Sequence, residues 1–165
     1  MIVVSDTSPI INLAIIGKLD LLPDLFGKIV IPQKVFDEIT IQGADMPGAD
    51  ELRAATWVEV KNCTNIGLIQ ALQLQVDPGE AEAIGLAMEM NVQMLLIDER
   101  IGRQLAKEFQ LPIMGLLGVL KIAKKKNLIQ QIKPLLDQLI HIAGFRIAKE
   151  LYKEILESEG EHSQS

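Results

Sequence analysis

The chain has 165 residues, a formal net charge of −6, and a composition that is 48 % hydrophobic but only 4 % aromatic. That length and apolar content suit one domain with a full core, and no apolar run approaches the ~18 residues of a membrane span. The single cysteine, Cys63, excludes an internal disulfide and a Cys/His metal cluster, and the acidic balance argues against a broad polyanion-binding surface.

Read in chain order, strands and helices alternate. Ile2 to Val4 is a β-branched run that stops at Ser5-Asp6, as a central parallel strand does. Ser8-Pro9 caps and starts a helix through Ile15, Gly17 ends it, and Leu19 to Phe26 is a second short helix. Lys28 to Ile31 is the second strand, and Pro32 to about Ile41 a helix carrying Glu38. A loop from Gly43 to Gly48 leads to a helix over Ala49 to Thr56, a strand over Trp57 to Val60, a turn region from Asn62, and a helix over Leu68 to Gln75. Asp77 then suits an N-cap, Pro78 the first helical position, and Glu80 the third residue after the cap, where a capping box would return its carboxylate to the Asp77 amide. Val92 to Ile97 is a buried strand that ends abruptly at Asp98-Glu99. A helix to about Phe109, a short strand over Leu111 to Met114 and a helix over Leu116 to Lys126 follow. Leu128 to Ile142 is helical with a break or fresh start at Pro134, and Ile147 to Leu156 is a last amphipathic helix.

This order predicts a three-layer α/β/α sandwich with a mostly parallel sheet and right-handed crossovers. Residues 1–156 form the expected single domain, with a helical extension from about residue 116, and 157–165 an expected disordered tail. The chain opens directly on a strand-like run with no basic segment before it, so a secretory leader is not expected and a reducing cytoplasm is the expected setting.

The layout brings acids together. Asp6 exits the first strand, Asp98 and Glu99 exit a later one, Glu80 (with Glu82 two residues on) opens the helix between, and Glu38 lies about two turns into another. In open parallel sheets, ligands bind at the carboxyl ends of the strands. Clustered carboxylates repel one another and are costly unless a cation joins them, and carboxylate oxygens suit Mg²⁺ or Mn²⁺. Such a site can activate water against a phosphodiester without a His or Cys nucleophile.

Four segments in this order carry a family resemblance: Val3 to Pro9, Val35-Phe36-Asp37-Glu38-Ile39, Asp77-Pro78-Gly79-Glu80-Ala81-Glu82-Ala83-Ile84, and Leu96 to Arg103. Together they resemble PIN-domain proteins, with the closest likeness to the subgroup that has a Gly-Glu-Ala-Glu-Ala motif and a C-terminal extension of the DUF3368 type. Gly115 to Leu120 and Gly144 to Ile147 fit that subgroup, and the likeness reaches about Leu156. The resemblance implies a PIN-like fold and a Mg²⁺- or Mn²⁺-dependent single-strand endoribonuclease of the VapC toxin type, which hydrolyses phosphodiester bonds with metal-activated water. It implies Asp6, Glu38, Glu80 and Asp98 as catalytic metal ligands, with Glu82 and Glu99 as alternatives. Thr7, Ser8, Arg100 and Arg103 are candidates for supporting the site or binding phosphate, although Ser8 reads more simply as a helix cap and arginines more often pair with acids.

Two departures from the family pattern stand out. Leu96-Ile97-Asp98 occupies the place of the usual Thr-x-Asp, and the third acid is Glu in place of the commoner Asp. They keep open a degenerate PIN-like module that binds nucleic acid or protein without cutting. A Mg²⁺-dependent phosphatase of another doubly wound family is a third reading, weakened by the lack of an Asp-x-Asp after strand one. The expected partners are an RNA substrate, a small antitoxin over the site, and a second copy of the chain docked through the apolar faces of Leu116 to Leu120 or Leu135 to Ile142; no membrane is expected. Lys121, Lys124, Lys125 and Lys126 read as a solvated helix end or an RNA-facing patch.

Overall fold

Five short apolar segments pair in parallel in the order β3-β2-β1-β4-β5: β1 (Val3–Ser5), β2 (Ile29–Ile31), β3 (Val58–Val60), β4 (Met94–Leu96) and β5 (Ile113–Met114). This is a computed structural model, and it describes residues 1–162. The middle strands read Val-Val-Ser, Ile-Val-Ile and Met-Leu-Leu because both of their faces are covered. Val3, Ile29, Ile31 and Leu96 face one apolar core, and Val4, Val30, Leu95 and Ile97 face the other. That is the two-residue alternation of a strand, with aliphatics on both sides. Each fully buried aliphatic contributes on the order of 1.5–3 kcal/mol, so the middle of the sheet is the firm base of the molecule.

Helices form the outer layers. On the first face lie α1 (Thr7–Ile15), α2 (Leu21–Phe26), α3 (Gln33–Asp37) with a π-helical turn (Glu38–Gln42), α4 (Ala49–Ala54), α8 (Leu116–Lys125), α9 (Lys133–His141) and α10 (Lys149–Ser158). The second face carries α5 (Ile66–Leu72), α6 (Pro78–Met90) and α7 (Arg100–Glu108). The result is the expected α/β/α sandwich. No helix among the described residues is long and apolar enough to cross a membrane.

Strand order decides where a site can form. From β1 the chain turns to one side for β2 and β3, and β4 and β5 occupy the other side. Connections therefore diverge between β1 and β4, opening a crevice at their carboxyl ends. The Asp6 amide donates to the Leu96 carbonyl at 3.0 Å and ties the two exits together.

Several expectations are corrected. Helix α1 begins at Thr7 with Asp6 as its N-cap, so Ser8 sits inside the first turn and is not the cap. The fresh start expected at Pro134 is present, with Pro134 in the first turn of α9, but the helix expected over Leu128 to Ile142 is confined to Lys133–His141. Residues 157–162, expected to belong to a disordered tail, have defined places in the fold. Helix α10 runs to Ser158, and the buried Glu161 carboxylate accepts from the Ile132 and Lys133 amides and from Lys124 Nζ, 2.7–2.9 Å away. Those amides open α9, and a carboxylate satisfies them as a capping group would. Positions 163–165 of the expected tail lie outside the described residues. Leu116, Leu120, Leu135, Leu136 and Leu139, on the faces expected to dock a second copy, are spent inside the chain's own core.

Candidate active site

Asp6 is the centre of the crevice. It is 3 % exposed and follows β1 directly, as the N-cap of α1. Burial pushes its carboxyl up to about 7; the Thr7 amide opposes this, and the charges of Asp77, Glu38 and Glu99 add to it. Asp6 makes no side-chain capping bond.

Glu38 and Glu80 come from different layers. Glu38 stands where α3 widens into the π-helical turn, closed by the Gly43 amide donating to the Glu38 carbonyl at 3.0 Å. Such single wide turns recur at functional sites. Its carboxylate accepts from the Thr7 hydroxyl at 2.6 Å and lies over Gly79, where an added Cβ would meet both oxygens at 2.6 and 2.7 Å. Glu80 is 8 % exposed, in the first turn of α6. Asp77 caps that helix as the sequence predicts, with Oδ1 accepting from the Glu80 amide at 2.8 Å. The reciprocal arm of the capping box is not formed. The Glu80 carboxyl instead lies beside Asp77 and over Gly102, where a Cβ would come within 2.7 Å of Oε2. Burial first, then the hydrogen bond and charge of Asp77, then Asp6 and Glu99, push Glu80 up to about 9.

The two acids after β4 part company. Asp98 turns toward the start of α8, its Oδ1 accepting from the Leu116 amide at 2.9 Å, with Arg103 beside it. Burial raises its carboxyl above the usual range, and the Leu116 amide and Arg103 oppose the rise. Asp98 Oδ2 is buried without a hydrogen-bond partner. Glu99, the next residue, is exposed and N-caps α7, and its charge acts on both Asp6 and Glu80. Arg103 Nη1 donates to the Ile97 carbonyl at 2.8 Å and braces this turn.

Asp6 thus shares one electrostatic group with four carboxylates, Glu38, Asp77, Glu80 and Glu99, each acting by its charge on Asp6 or on Glu80. Three of the five were singled out in the sequence as ligands or alternatives beside Asp6; Asp77 was read only as a cap, and that signal hid its second position. Glu82 stands apart, its carboxyl raised by burial and lowered by Lys34. Ser8 makes no side-chain hydrogen bond among the described residues, whereas Thr7 does. None of the five acids has a Lys or Arg ion pair among the described residues. A cleft of about 710 Å³ opens beside them, lined by Asp77, Glu80, Glu99 and Arg100.

A family model described as a PIN domain, DUF3368, matches residues 2–161. The chain belongs to this PIN-domain family. No curated protein and no solved structure matches the chain. PIN domains are generally nucleases and typically use divalent metals, which places this chain at the coarse level of a hydrolase with a nuclease-type fold. The donor set of this PIN domain fits such a metal in kind: all-oxygen, anionic, and lacking basic partners among the described residues. In distance it is looser. Among the described residues, no three Asp, Glu, His or Cys side chains converge to hold an ion. Side-chain rotation of Glu38, Glu80 and Glu99 would have to complete the set, which for Glu38 means leaving the Thr7 hydroxyl.

Proposed function

We propose that this PIN domain is a Mg²⁺- or Mn²⁺-dependent endoribonuclease acting on single-stranded RNA. One observation carries the reading: Asp6, nine-tenths buried at the strand-order reversal, has carboxylates for neighbours and no basic side chain among the described residues to balance them. Structural acids at such depth are ordinarily paired. Asp6, Glu38 and Glu80 hold the cation in this account. Glu99 takes the fourth position, because its charge reaches Asp6 and Glu80, while Asp98 positions the turn through the Leu116 amide. A bound Mg²⁺ or Mn²⁺ supplies an activated water and offsets charge on the phosphodiester.

The chain's own residues do the rest. Thr7 holds the Glu38 carboxylate by its hydroxyl, and Asp77 fixes the first turn of α6 so that Glu80 faces inward. Burial raises the carboxyls of Asp6 to about 7 and of Glu80 to about 9, so a cation held there would displace protons from both. On the same reading the chain is the toxin of a toxin–antitoxin pair, acting in the cytoplasm, and the small antitoxin presents a basic side chain to the acid cleft. A homodimer would need a surface other than the buried faces of α8 and α9.

The test is cleavage of an unstructured RNA in Mn²⁺, in Mg²⁺ and in EDTA. The account expects cutting that requires metal and falls by at least ~100-fold in Asp6→Asn and Glu99→Gln, comparable to other losses of a directly acting group, with a smaller loss in Asp98→Asn. A second reading, RNA binding without cleavage, draws on the fact that no three acids converge among the described residues. Tight binding with no cutting in any metal would establish it.

A further inference from the structure

The acid cleft continues into a second, differently charged one. This cleft of about 400 Å³ is lined by Asp98, Arg100, Arg103, Gln104 and Lys107, and it shares Arg100 and Gln104 with the first. The basic residues sit at i, i+3 and i+7 of α7, on one side of the helix. The opposite side is buried through Gly102, Leu105 and Ala106. Arg100 and Lys107 are exposed and have no ion pair among the described residues, in a chain whose net charge is −6. Arg103 is half-buried and braced on the Ile97 carbonyl, so it is fixed at the mouth. The acid cleft has an apolar lip as well: Leu74 and Ile101 both line it and are 87 % and 59 % exposed.

We infer that Arg100, Arg103 and Lys107 form a phosphate track for the RNA strand leading into the acid site, with Leu74 and Ile101 as an aliphatic platform for an unpaired base. The inference rests on the nuclease reading for the direction of the track. Seven residues of helix span about 10 Å, room for more than one phosphate of a single strand. A base can reach Leu74 and Ile101 only if it is unstacked, which a duplex does not offer. The track assigns binding to α7, whose cleft adjoins the acid cleft, and not to the lysines of α8, which line neither.

The probe is a fluorescent uridine-rich single-stranded RNA, titrated with the full chain in EDTA, where cleavage cannot interfere. Arg100→Ala/Lys107→Ala should weaken binding roughly tenfold and reduce the slope of log affinity against log salt by about 1.4, or 0.7 per lost phosphate contact. Lys121→Ala/Lys125→Ala should leave both unchanged, and Leu74→Ser/Ile101→Ser should weaken binding without changing the slope. An unchanged slope in the α7 variant, equal binding of a duplex, or no binding by the unmodified chain would overturn the track. Because binding is read without metal, a track that binds while the chain never cuts would count against the nuclease alone. Metal-dependent cutting with unaltered binding in the α7 variant would count against the track alone.

Discussion

Asp6 costs the fold something. Its carboxyl is held near 7 in the folded chain and near 3.8 when unfolded, so the folded form binds the proton more tightly. The favourable contribution is complete below about pH 4 and is lost as pH rises through 7; Glu80 acts likewise between 4.5 and about 9. In EDTA the thermal midpoint should therefore fall from pH 5 to pH 9, against the usual acid-destabilised trend. Asp6→Asn should flatten the lower half of that slope and stabilise the chain at pH 8 by on the order of 2–4 kcal/mol. A midpoint that rises across this window would contradict the burial argument. At this scale the sequence was partly legible. Asp6 was readable because an aliphatic run stops on it. The choice between Asp98 and Glu99 was not, because the two follow β4 in adjacent positions; in the fold the Asp98 carboxylate accepts from the Leu116 amide, while the charge of Glu99 acts on Asp6 and Glu80. Asp77 was hidden by a cap signal that fully explained it.

Elements place the acids at distances that neither local sequence nor helix period conveys. The pattern around Val35, Phe36 and Ile39 announces a helix, but nothing in it announces the π-helical turn that starts at Glu38. Gly79 is the counterpart on α6: it leaves room for the Glu38 carboxylate, and a methyl group there would collide with both oxygens. Gly79→Ala should thus displace Glu38 and lower RNA cleavage by roughly tenfold or more. Its thermal midpoint should stay equal or rise, since Ala is favoured over Gly within a helix by about 0.5–1 kcal/mol and the colliding atoms belong to a flexible side chain. Unchanged cleavage would remove Glu38 from the site. Element boundaries erred where propensity competed with packing. Helix α9 starts at Lys133, where Pro134 fits the first turn and the buried Glu161 carboxylate, far along the chain, accepts from the Ile132 and Lys133 amides.

At the scale of the whole molecule, alternating strands and helices were enough to give the α/β/α layers, because strands that are apolar on both faces need two helical covers. Strand order was not written there: that β4 lies beside β1, and not beyond β3, follows from how the helices pack, and it is what brings Asp6 and Glu99 together. The faces expected to dock a second copy were misplaced at the same scale, since apolar stripes on α8 and α9 look alike whether they meet a partner or their own core. What the assembled molecule offers is a cleft lined by acids beside a basic helix face, in a chain of acidic net charge. On the proposed function, the acids around Asp6 bind a hard divalent cation. Calorimetric titration of the full chain with Mn²⁺ near pH 6.5, repeated in buffers of different ionisation enthalpy, tests this most directly. The account predicts binding that releases protons from Asp6 and Glu80 and is lost in Asp6→Asn. Equal binding by Asp6→Asn, or no binding by the unmodified chain, would contradict it.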